Sequence, residues 1–221
     1  MRKEWRKLAV LCATAGAILG TQQTQAQQQE VGGSGLSPRF GVKAGLNLSN
    51  FYSDEVNDNN LKAGLHAGVY AKLPVFQGFS IQPELLYSNK GSKRSYDNAI
   101  FGQGEYRTNL HYIEMPVLGV VNLAKNFNIH AGPYVSYLAG ANITDLDADG
   151  SVEELAELNP ENLNRFDYGV AAGFGIDLGP TTIGARYTVG LREVGKSGSL
   201  AGEAFRDTKN SNISIFIGVG F

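Results

Sequence analysis

Three aspartates spaced two apart, Asp145-Leu146-Asp147-Ala148-Asp149-Gly150-Ser151-Val152-Glu153, carry the spacing of a calcium loop. They match its first nine positions, with the glycine at position six, which permits a sharp turn, and an aliphatic at eight. Position twelve, where a bidentate Glu closes such a loop, is Ala156, with Glu154 and Glu157 near it. Calcium held by Asp145, Asp147 and Asp149 in the 145–157 loop is one reading, and a solvated acidic loop is the other. Residues 151–158 also suit a short helix, with Ser151 as cap and Glu154 at the capping-box position. A second set, Lys43, His66, Glu84, Glu114, His130 and Arg186, mixes cations, carboxylates and imidazoles. Such groups make either a paired, buried polar network or a proton or ion path. Nucleophilic catalysis finds little support. The histidines are His66, His111 and His130, no Gly-x-Ser-x-Gly motif occurs, and the single cysteine is Cys12. The repeat Gly169-x-x-x-Gly173-x-Gly175 looks like a phosphate loop only superficially, so no enzyme is expected.

The elements that position these residues alternate with period two. In 211–221, Ile213, Ile215, Ile217, Val219 and Phe221 share one face, while Ser214, Gly218 and Gly220 share the other with Phe216 as the exception. The same pattern runs through 40–48, 61–73, 79–90, about 106–123, 127–139, 166–178 and 181–191. One face is almost wholly aliphatic or aromatic in every segment, and the charged residues sit on the other, among small ones. Aromatics of the apolar face gather near segment ends (Phe40, Phe79, Tyr87, Phe127, Tyr137, Phe166, Tyr187, Phe221), as girdles at two membrane interfaces would. Connections alternate too: 74–78, 124–126 and 179–180 are short, whereas 49–60, 91–105, 140–165 and 192–210 are long and polar. Lipid cannot hydrogen-bond an open sheet edge, so the strands must close on themselves. The expectation is an all-β, eight-stranded, antiparallel up-and-down transmembrane barrel. Its lumen is then filled by side chains, with the six polar residues named above inside it. Pro83, Pro116 and Pro133 fall within strands, where a bulge or distorted register is expected.

The front of the chain reads as an export signal. Arg2, Lys3, Arg6 and Lys7 precede an apolar stretch from Leu8 to Gly20, too short to span a bilayer as a helix, and Thr24-Gln25-Ala26 offers a cleavage site after Ala26. Cys12 falls inside that stretch and follows Leu11, which does not suit a lipoprotein signal, so the mature chain carries no thiol. The full chain has 19 basic and 21 acidic residues. Residues 1–26 hold four of the basic and one of the acidic, which leaves 15 against 20, or net −5. A negative balance argues against nucleic acid as a partner. The expected organisation is a signal peptide at 1–26, a periplasmic N-terminal segment at 27–38 and a barrel at 39–221. The expected location is the outer membrane of a Gram-negative cell, with both termini periplasmic and lipid around the wall.

Five motifs carry a family resemblance. They are Gln82-Pro83-Glu84-Leu85-Leu86-Tyr87-Ser88, Tyr112-Ile113-Glu114-Met115-Pro116-Val117-Leu118, Gly132-Pro133-Tyr134-Val135-Ser136-Tyr137-Leu138, the run from Phe166 to Gly175, and Arg186-Tyr187-Thr188-Val189-Gly190-Leu191. In this order they resemble the outer-membrane β-barrel family labelled porin-family or PorT-like. The resemblance implies an OmpA/OmpX-like eight-stranded scaffold with divergent loops and no particular activity. The expected function is an integral barrel with a filled lumen, presenting surface loops for structural or binding roles, with a surface ligand as partner. The alternatives are an accessory factor of a protein-secretion apparatus, partnered by its machinery, or a narrow porin or ion channel.

Overall fold

Alternating apolar and small polar residues become strands because each face then meets one solvent only. The computed structural model describes residues 37–52, 61–98, 102–147, 152–157, 163–195 and 208–221. The signal at 1–26 and most of the 27–38 segment lie outside them. Nine strands follow in chain order: β1 (Arg39–Tyr52), β2 (Lys62–Phe76), β3 (Phe79–Asn98), β4 (Gly102–Ala124), β5 (Phe127–Asp147), β6 (Val152–Glu157), β7 (Phe166–Leu178), β8 (Thr181–Glu193) and β9 (Lys209–Gly220).

Every strand except β6 joins a closed antiparallel ring of eight. Neighbours run β1–β2–β3–β4–β5–β7–β8–β9, and β9 pairs back onto β1. The seam is completed at the chain end, where Phe221 N donates to Phe40 O at 2.8 Å. No backbone edge is left open to lipid around the ring, which is what a hydrocarbon surround demands. Carrying the pairing register once round, from Gly41 through Tyr70 and on to Asn210, returns to β1 at Phe51, ten residues on. A stagger of that size over eight strands tilts them by roughly 40°.

The two faces separate sharply. Ile215 is 55% exposed and Leu65 62%, whereas Ser214 beside the first is 6% and His66 beside the second is 5%. The outward girdle aromatics meet in pairs: Phe76 stacks on Phe79 near the short turns, and Tyr137 meets Phe166 edge-on at 5.3 Å towards the other end. Two-residue turns close one end: Gln77–Gly78, Lys125–Asn126 and Gly179–Pro180. Gly78 and Gly179 take φ of 88° and 66° there, a left-handed backbone that glycine adopts without a Cβ penalty.

Three expectations need correction. Register runs unshifted past Pro83, Pro116 and Pro133, although pairing lapses for the two residues alongside each. A missing N–H removes one ladder bond, and the intact bonds on both sides hold the alignment. The register shifts fall elsewhere, beside Pro74 and at His111/Tyr112, Asn122/Ala124, Ile143/Thr144 and Val189/Glu193. Second, much of 91–105 and 140–147 is strand, because β3 and β4 stay paired up to Asn98 and Gly102, and β4 holds β5 as far as Asp147. Along these extensions the strict alternation of apolar and small residues fades while pairing continues. Third, the helix expected at 151–158 is the strand β6, paired with β5 from Asn142 to Leu146. Nucleating so short a helix is costly, and the overhanging edge of β5 supplies backbone partners instead.

Candidate functional site

All six polar residues placed in the lumen by parity are buried there: Lys43, His66, Glu84, Glu114, His130 and Arg186. They do not form one cluster. Four meet around Glu84. Arg186 grips this carboxylate with two parallel bonds, Nη1 to Oε2 at 2.8 Å and Nη2 to Oε1 at 2.9 Å. Lys43 Nζ donates to Oε1 at 2.5 Å, and Gln82 Nε2 adds a fourth donor at 2.7 Å. Arg186 Nε donates to His130 Nε2 at 3.3 Å, which makes His130 an acceptor there and therefore a neutral imidazole. Strands β1, β3, β5 and β8 are thus tied together across the barrel axis.

Phe216, the exception to the terminal alternation, explains itself here. Its ring lies inside the lumen with Lys43 Nζ 4.2 Å and the Arg186 guanidinium 5.4 Å from its centroid. An aromatic face is the apolar surface that best tolerates desolvated cations. Small residues make room for such groups. A Cβ at Gly173 would sit 2.8 Å from His130 Nε2 and 2.3 Å from the Ala185 carbonyl oxygen.

Glu114 belongs to a second cluster, nearer the long connections. It pairs with Lys90, whose ammonium lies 5.1 Å from the Tyr134 ring centroid and 5.9 Å from that of Tyr112. Tyr134 donates to Asp167 Oδ2 at 3.0 Å, and Asn210 Nδ2 donates to the same oxygen at 2.9 Å. His66 pairs with neither cluster directly; its Nδ1 donates to Asn47 Oδ1 at 2.9 Å, and Asn47 Nδ2 reaches Ser88 Oγ at 3.0 Å. Lys90, Asp167 and Asn47 were not singled out from sequence, yet they share the inward parity of Glu84 and Arg186. Leu110, Tyr112, Leu138, Ala141, Leu163 and Val194 pack into an apolar cluster at the long-connection end of this polar column.

The remaining candidates are placed differently. His111 lies at the β4 irregularity, with its Nδ1 2.6 Å from Tyr87 Oη. Among the described residues no hydrogen bond joins a histidine to a serine hydroxyl. Asp145 and Asp147 belong to β5, extended opposite Tyr106 and Gly104, and Asp149 lies outside the described residues. A calcium loop folds its first ligands around one point, and a laddered strand does not. Among the described residues no group of three or more His, Cys, Asp or Glu is placed to hold a metal.

The short-turn end opens into a cavity of about 730 Å³ lined by Arg39, Lys72, Lys125, Asp177, Phe76 and the turn residues. It narrows to a pocket of about 40 Å³ that reaches Lys43, Tyr70 and His130.

No curated protein matches this chain. Several solved structures are similar to it. Ail of Yersinia pestis, solved with the heparin analogue sucrose octasulfate, shares 12% identity, covering 84% of this chain and 100% of that one at a TM-score of 0.46. Neisserial surface protein A shares 14%, covering 82% and 97% at a TM-score of 0.47. OprG of Pseudomonas aeruginosa shares 12%, covering 84% and 97% at 0.39. Residues 25–195 match the family described as outer membrane protein beta-barrel domain. With its closed ring of eight strands, apolar wall and charged lumen, the chain belongs to that family and is an integral outer-membrane β-barrel.

Proposed function

We propose that the barrel is a non-conducting anchor that holds its long connections at the cell surface for binding, with both termini in the periplasm. The observation that carries this is Glu84, clamped by Lys43 and Arg186 in mid-lumen, with all three side chains at most 4% exposed. A barrel of eight strands has an interior just wide enough for side chains to fill or for one small ligand, and here ion pairs fill it at mid-height with the apolar cluster beyond them. Outside the ring, β3, β4, β5 and β6 overhang as a sheet, which suits recognition by backbone pairing. Residues 1–26 would act as the export signal. Planar-bilayer recording tests the filled lumen: the purified barrel should stay silent, and discrete current steps would instead establish the narrow-channel reading.

The secretion-factor reading is supported by the PorT-like motifs from Gln82 to Leu191. A deletion strain separates it from the anchor: loss of exported cargo would favour it, and unchanged export would leave the surface-binding role.

A further inference from the structure

We propose that the short-turn mouth of the barrel is a binding site for a phosphate ester. Arg39 and Lys72 are direct register partners across β1 and β2, both on the inward parity. Like charges placed opposite each other destabilise a strand pair, unless an anion lies between them. Lys72 has a partial remedy in Asp177, whose Oδ2 is 3.6 Å from its Nζ. That carboxylate is already engaged, since Thr182 Oγ1 donates to Oδ1 at 2.6 Å and Asn128 Nδ2 to Oδ2 at 3.0 Å. Arg39 has no such acidic partner among the described residues. Lys125 supplies a third cation from the β4–β5 turn on the same cavity wall.

The excess continues inward. The cavity and the narrower pocket share Arg39, Lys72, Asp177 and Gly179, so they form one path, and its inner wall is Lys43. There Lys43 and Arg186 divide a single carboxylate, that of Glu84. Along the path Arg39, Lys72, Lys125 and Lys43 therefore face Asp177, and behind Lys43 the Glu84 carboxylate is already shared with Arg186. Low-dielectric walls around such a surplus focus its field on the opening.

The ligand class follows from charge and room. A phosphoryl group brings up to two charges on three acceptor oxygens, which suits three separate cations better than a single carboxylate does. Arginine can meet two of those oxygens at once. A volume of about 730 Å³ exceeds one phosphate and admits an organic body on it, within the range of small-ligand pockets. Phe76 and Pro74 give that body an apolar wall. A lipid headgroup and a soluble phosphate ester share this chemistry.

Calorimetry on the full-length mature barrel, refolded in an uncharged detergent, tests the assignment. Inorganic phosphate and glycerol phosphate form one arm, and dihexanoyl phosphatidylglycerol forms the other. Saturable binding in either arm is expected, and the arm that binds more tightly identifies the source. The double variant Arg39→Gln/Lys125→Gln should weaken binding at least tenfold. Among the described residues neither holds an ion pair, so folding should persist, as the unchanged gel shift on heating would show. Lys209→Gln, at the opposite end of the barrel, should bind like the wild type. No saturable heat in either arm, or equal affinity in the double variant, would overturn the proposal.

Discussion

Glu84 on β3 and Arg186 on β8 meet through two parallel hydrogen bonds although 102 residues separate them in the chain. No local pattern could bring them together; the closure of the ring does. Their contact fixes opposite walls of the barrel to each other, and Lys43 adds the wall at the β1–β9 seam.

Removal of the carboxylate should therefore be severe. Glu84→Ala leaves Lys43 and Arg186 buried beside each other without a counter-charge, a change that costs about 3–5 kcal/mol. The temperature at which the folded band converts to the unfolded band in a detergent gel should drop, and Arg186→Ala should lower it as well. Unaltered conversion temperatures for both would remove the clamp from any account of stability.

Gly169 is a sharper steric test. A Cβ there would lie 2.0 Å from the Val189 carbonyl oxygen and 2.7 Å from the Tyr134 ring. Gly169→Val is expected to abolish the compact, heat-modifiable form. Outward-facing Ala172→Val, three residues on, should fold normally in the same assay.

The lipid-facing wall makes its own prediction. Ile215→Arg puts a charge into hydrocarbon near the middle of β9 and should cost roughly 2–4 kcal/mol in vesicles. Urea titration of the refolded protein reads this directly. A negligible loss would mean that this face does not meet the bilayer core.

Calcium is expected to leave melting unchanged. To ligate a shared ion, Asp145 and Asp147 would have to abandon a ladder held by β4 on one side and, around Asp145, by β6 on the other. Thermal unfolding with calcium and with a chelator should coincide. A calcium-dependent rise would show that this hairpin rearranges around the metal.

Period-two alternation is a local property, so the sequence by itself determined which residues face lipid and which face inward. Because hydrocarbon offers no hydrogen bonds, those faces also required a closed antiparallel ring. Burial of Lys43, His66, Glu84, Glu114, His130 and Arg186 follows from parity alone, and Lys90 and Asp167 could have been found by the same rule. Which lumen group meets which was decided only by the tertiary structure. Partners across the axis depend on the stagger accumulated round eight strands, so Glu84 takes Arg186 from the opposite wall, while Glu114 takes Lys90 from the adjoining strand. Tertiary pairing also decided the fate of the polar connections. Nothing in the composition of 91–98 or 140–147 separates a loop from a strand, and the neighbouring edge of β4 makes the difference.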